Sequence, residues 1–89
     1  MNKILYTQKD FYLIIKKNLR RIHYESGYSR AYVAEHVDLS FQAYSDMLTL
    51  SLIERYPSLE TLRRMCNFFE VNIIEFFKVS EEEKEYQKN

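Results

Sequence analysis

Few side chains in this 89-residue chain are of a kind that makes or breaks bonds. His23, His36 and the single cysteine, Cys66, are the candidates, and no two of them stand at a metal-ligand spacing. Cys66 reads as core filling, and one thiol excludes an internal disulfide framework. There is no glycine-rich phosphate loop, no nucleophile beside a base and no paired-carboxylate motif. No catalytic residue, cofactor, metal or small-molecule ligand is therefore expected. What remains is a polar group between Ser29 and Asp46: Ser29, Arg30, Ser40, Gln42, Ser45 and Asp46, with the ring of Phe41 among them. Hydroxyls and a guanidinium suit anionic oxygens, while a carboxamide and a carboxylate suit edges that present both donors and acceptors. This is the chemistry of recognition, and it needs rigid elements to present it.

Those elements are readable from caps and apolar spacing. Thr7 with Asp10 predicts a capped start, and Phe11, Ile15, Leu19 and Ile22 then recur on one helical face up to about Ser26. Gly27 supplies a left-handed stop. Ser29 caps a second helix carrying Ala31, Val33, Ala34 and Val37; Asp38-Leu39-Ser40 forms a break, with Asp38 able to turn left-handed and Ser40 able to cap. A third helix covers roughly Phe41 to Thr49, with Tyr44, Met47 and Leu48 inward. Pro57-Ser58 opens a fourth, on the stripe Leu59, Leu62, Met65, Cys66 and Phe69. Asn72 with Glu75 has the reciprocal capping arrangement and predicts a short fifth helix, Ile73, Ile74, Phe76 and Phe77, sealing the core; Ser80 with Glu83 repeats it for an acidic tail helix. The expected organisation is one all-α domain over residues 1–78 and a charged tail over 79–89.

Composition agrees with a folded helical domain, since apolar residues make up 46% of the chain and only Gly27 and Pro57 punctuate it. Net charge is zero, which does not favour a polyanion partner, but the distribution is uneven. Residues 1–36 carry seven Lys and Arg against three Asp and Glu, a net of +4, and the residues after Lys78 carry a net of −2. Lys16, Lys17, Arg20 and Arg21 read as a solvated basic face of the first helix, adding long-range attraction at most. The apolar run within Met1 to Gln8 is far shorter than a signal-peptide core and nothing approaches a membrane span, so a cytoplasmic protein with no membrane partner is expected.

The run from Leu19 to Lys78 resembles the phage-repressor (Cro-like, or xenobiotic-response-element) family of helix-turn-helix regulators. Three stretches carry the resemblance: Asn18-Leu19-Arg20-Arg21-Ile22; Ser29-Arg30-Ala31-Tyr32-Val33-Ala34-Glu35-His36-Val37-Asp38-Leu39-Ser40; and Pro57-Ser58-Leu59-Glu60-Thr61-Leu62 with Val71-Asn72-Ile73-Ile74-Glu75-Phe76-Phe77. Asp38 stands where the family usually has Gly, Arg30 where it commonly has Gln, and the segment Leu48 to Tyr56 is longer than the common pattern and lacks its Glu-x-Gly ending.

The resemblance implies a compact five-helix repressor-like domain whose third helix enters the major groove of double-stranded DNA. On that reading Phe41, Gln42, Ser45 and Asp46 face the bases: Phe41 on a thymine methyl, Gln42 on adenine, Asp46 on a cytosine amino group, with the Ser45 hydroxyl suited to a base edge or a phosphate. Ser29, Arg30 and Ser40 contact phosphates. The resemblance also implies a homodimer, for which Leu50, Leu52, Ile53 and Phe77 are the apolar candidates. The competing reading is a helix-turn-helix fold used as a protein-protein interaction module, motivated by zero net charge, Asp46 on the presumptive reading helix and the apolar segment after it. The expected function is sequence-specific, DNA-binding transcriptional regulation.

Overall fold

The computed structural model describes residues 5–79, so the expected acidic tail helix lies outside the described residues. Four α-helices follow one another, α1 (Gln8–Ser26), α2 (Arg30–His36), α3 (Phe41–Leu48) and α4 (Leu59–Phe69), and a 3-10 turn over Ile73–Phe77 closes the chain. There is no strand among the described residues.

Each boundary has a local cause. Thr7 accepts from the Asp10 amide while the Asp10 carboxylate accepts from the Thr7 amide, a complete capping box. Gly27, at φ 77°, ends α1 in the left-handed region. Ser29, Ser40 and Ser58 cap α2, α3 and α4 through their side-chain oxygens. Asp38 turns left-handed at φ 60°, which lets the Leu39 amide reach back to the Ala34 carbonyl at 2.9 Å while the Leu39 side chain covers the core. Glu70 does the same after α4, at φ 56°, with the Val71 amide on the Cys66 carbonyl.

The core gathers Ile15, Leu19 and Ile22 of α1, Val33, Ala34 and Val37 from the α2 region, Tyr44 and Leu48 of α3, Leu62 and Met65 of α4 and Phe76 of the 3-10 turn. Each such large side chain contributes about 1.5–3 kcal/mol through burial.

Three expectations are corrected. The fifth helix is a 3-10 turn, and it seals the core through Phe76 alone, because Ile73, Ile74 and Phe77 remain exposed. Its predicted reciprocal cap is not made: Asn72 accepts from the Ile74 amide, and the Glu75 carboxylate turns to Lys78 and Arg21. The stripes of α1 and α4 start later than expected, since Phe11 and Leu59 are 50% and 84% exposed and both sit in terminal turns that overhang the core.

Candidate nucleic-acid interface

The polar residues singled out in the sequence converge where α2 and α3 begin. Tyr44 and Leu48 are fully buried and anchor α3 from below, leaving Phe41 and Gln42 exposed on its first turn, with Phe41 at 55%. Ser29 and Ser40 are exposed, and each hydroxyl oxygen accepts one amide, from Tyr32 at 3.1 Å and from Ala43 at 3.0 Å. Their O–H groups therefore keep a proton to donate.

Gln42 and Asp46 act as a couple. The Gln42 Nε2 donates to the Asp46 carboxylate at 2.8 Å, one helical turn apart. That bond takes one of two amide protons and fixes which way the carboxamide points. Its oxygen and one N–H remain to be used, an acceptor and a donor of the kind adenine N6 and N7 take.

Ser45 does not belong with them. It is buried, and its hydroxyl has no hydrogen-bond partner, so it faces the interior and cannot reach a base edge or a phosphate from there. The helical spacing that puts Tyr44 and Leu48 in the core carries Ser45 to its margin.

Arg30 is half-buried at the start of α2, close enough to the buried Tyr44 and His23 to act on both. The Tyr44 oxygen and His23 Nδ1 lie 2.8 Å apart. Burial, and then the Arg30 charge, pull the His23 imidazole below its usual range, while burial drives the Tyr44 phenol well above its own. A protonated phenol beside a neutral imidazole assigns the O–H as donor. This bond braces α3 against α1, within reach of the Arg30 charge.

Of the basic residues of α1 expected on a solvated face, Lys17 is exposed, but Lys16, Arg20 and Arg21 are engaged with backbone carbonyls, which overturns the expectation for these three. Lys16 is fully buried, and its Nζ donates to the carbonyls of Asp46, Leu52 and Arg55 at 3.0, 2.7 and 2.6 Å. Burial lowers the Lys16 pKa and the Asp46 carboxylate raises it, in that order. Arg20 donates to the Leu48 carbonyl at 2.7 Å, the end of α3, and Arg21 donates to the Glu75 carbonyl at 2.8 Å. Asn18 Nδ2 stands within 2.9 Å of the Phe76 carbonyl and 2.8 Å of the Lys78 carbonyl. These roles were missed although a signal existed: Lys16, Arg20 and His23 follow one another at i, i+4 and i+7 along the edge of the Ile15-Leu19-Ile22 stripe.

The proposed dimer residues are scattered. Leu50 and Ile53 are half-buried, Leu52 is 42% exposed, and Phe77, 40% exposed, lies elsewhere, in a cleft of about 200 Å³ with Tyr6, Phe11, Ile14 and Val79. Among the described residues no three His, Cys, Asp or Glu side chains form a group able to hold a metal, and no helix is long and apolar enough to cross a membrane.

No curated protein and no solved structure matches the chain. The helix-turn-helix family of the Cro/C1 type matches residues 17–76, which span the second half of α1, α2 to α4 and all but the last residue of the 3-10 turn. More than half of the sequence lies within that match, its three short helices are capped as described, and α3 shows its first turn to solvent: the chain belongs to the helix-turn-helix family, a family of DNA-binding domains.

Proposed function

We propose that the protein is a sequence-specific transcriptional regulator that places the first turns of α3 in the major groove of double-stranded DNA. The observation that carries this reading is the pairing of an exposed Phe41-Gln42 turn with a rigidly buried underside, Tyr44 and Leu48, on the helix that follows a tight turn. Gln42, oriented by Asp46, reads adenine, and Phe41 packs on a thymine methyl. Asp46 is less a cytosine reader than the group that orients Gln42. Arg30, Ser29 and Ser40 hold the phosphates on either side.

A homodimer would bring two such helices to half-sites one helical turn apart. The apolar surface at Phe77, Phe11 and Tyr6 supports a contact there more than at Leu50 and Ile53, which the monomer already half covers. A cytoplasmic location follows from this role and from nothing else.

Selection of bound sequences from a random DNA pool tests the reading, and a palindrome rich in A·T pairs at the Gln42 position is expected. Gln42→Ala should relax preference at one base position by about 1–3 kcal/mol. Arg30→Ala should weaken all sequences alike and flatten the salt dependence. Failure to enrich any sequence at low salt would favour the protein-binding alternative. The surface ring cluster of Tyr28, Tyr32, His36 and Phe68, with neighbouring centroids 4.1–6.0 Å apart, is where such a partner would be sought.

A further inference from the structure

Residues 49–58, between α3 and α4, form no regular element. Their own backbone bonds, Leu52 N to Thr49 O and Arg55 N to Leu52 O, describe two successive turns. Yet this stretch builds one wall of a cleft of about 370 Å³, in which Glu54, Arg55 and Tyr56 stand opposite Ser40, Gln42 and Asp46 of the reading helix. Two side chains of α1 hold the wall in place: Tyr12 stacks on Tyr56 with ring centroids 3.7 Å apart, and Lys16 sits beneath both walls, while Arg20 takes the Leu48 carbonyl at the end of α3.

The geometry at Lys16 is complete. An ammonium has three N–H donors and no acceptor, and three carbonyl oxygens receive them. One belongs to Asp46 in α3, and the other two belong to Leu52 and Arg55 in the opposite wall. A cation with no exposed surface is costly unless its donors are all satisfied, and here all three are, with the Asp46 carboxylate adding an attraction that partly offsets burial.

The consequence concerns charge. Helix α3 contains no Lys or Arg, whereas Arg55 is exposed on the facing wall. We propose that Lys16 is a positioning residue for DNA reading: its buried ammonium ties the last turn of α3 to the backbone at Leu52 and Arg55. It thereby sets the Arg55 guanidinium against a phosphate beside the groove that α3 enters. The inference rests on the DNA-reading assignment of α3. Lys16 lies just outside the span matched by the family, so the role is argued from this chain's own contacts.

The test compares wild type, Lys16→Met, Arg55→Ala and the double variant, each checked for helical content and cooperative melting. Backbone amide exchange and binding of the pool-selected DNA over a salt series are then measured. In Lys16→Met the amides of residues 49–56 should exchange at least about tenfold faster, with those of Leu19 and Leu62 little changed. Lys16→Met and Arg55→Ala should each flatten the salt dependence by roughly one phosphate contact, and the double variant should flatten it no further.

Additive losses, or an unchanged slope in Lys16→Met, overturn the proposal. If Lys16→Met does not fold, two measurements decide: the Arg55→Ala slope, and a slowly exchanging lysine ammonium resonance in the wild-type spectrum. Absence of either overturns it. Wild-type protein that selects no DNA at all removes the DNA reading itself, whereas normal wild-type binding with an unaltered Lys16→Met removes this inference alone.

Discussion

The α2-turn-α3 unit and the segment after it, residues 49–58, lie side by side and are held in opposite ways. In the unit, Ser29 bonds the Tyr32 amide, the left-handed Asp38 lets Leu39 reach Ala34, and Ser40 bonds the Ala43 amide, so its caps and turn close within five residues, while longer bonds from Lys16, Arg20 and His23 brace α3 from α1. In the segment, the side-chain bonds that fasten the backbone come from Lys16, across separations of 36 and 39 residues. The first region carries its caps and turn in its own sequence, and the second takes its geometry from α1. The caps of the reading helix can thus form without α1, while the wall beside it cannot.

The comparison can be broken outright at Leu48, where the two regions meet and which has no exposed surface. Leu48→Ala should destabilise the whole domain by about 2–5 kcal/mol in urea unfolding, with both regions lost in one transition. A loss under about 1 kcal/mol would mean that the junction is not core. Removing a local device should act on one side only. Ser40→Ala costs about 1 kcal/mol through the α3 cap and should raise amide exchange at Ala43 but not at Leu52.

A smaller change of opposite sign is expected at Glu70, which is exposed and left-handed. Glu70→Gly should raise stability by up to about 1 kcal/mol, because glycine adopts that conformation without a Cβ penalty.

The smallest effect is expected from pH. The folded-state pKa of His23 is depressed, by burial first and Arg30 second, so the unfolded chain takes up its proton earlier as acid is added. Its contribution is complete above the ordinary value of 6.5 and is lost as pH falls through the depressed folded value. The melting temperature should therefore drop by a few degrees from pH 7.5 to 5.5, and His23→Gln should flatten that slope. Because His23 braces Tyr44, acid should loosen α3 before the Lys16 contacts, and the reverse order would argue against the brace.

The same division explains what the sequence revealed. Thr7, Gly27, Ser29, Asp38, Ser40 and Ser58 were readable because a cap or a turn is decided within a few residues. For Lys16, Arg20, Arg21 and Asn18 the spacing beside the apolar stripe could at most have marked Lys16 and Arg20 as half-inward; their partners were not readable, since backbone carbonyls are offered by every residue. Periodicity placed Tyr44 and Leu48 correctly but misplaced Ser45, expected outward or lateral and in fact buried at the margin of their face, and it carried Phe11 and Leu59 too far toward the helix ends. The run Ile73–Phe77 has the composition of a helix but too little length to gain from one, and it settles as a 3-10 turn. Glu70 gave no warning, because a left-handed helix end without glycine or asparagine has no composition signal. Of the candidate interface, the exposed residues were legible from spacing, whereas the wall facing them was not.

The triple contact of Lys16 also bears on how the chain reaches its final shape. Helices with local caps form early, since little loop entropy opposes them, but an ammonium that must meet carbonyls 30, 36 and 39 residues away cannot engage until α1 and α3 have docked. The stretch from Thr49 to Pro57 is then expected to be the last part of the domain to assemble and the first that a protease nicks, so the molecule's most vulnerable peptide bonds would lie beside its reading helix.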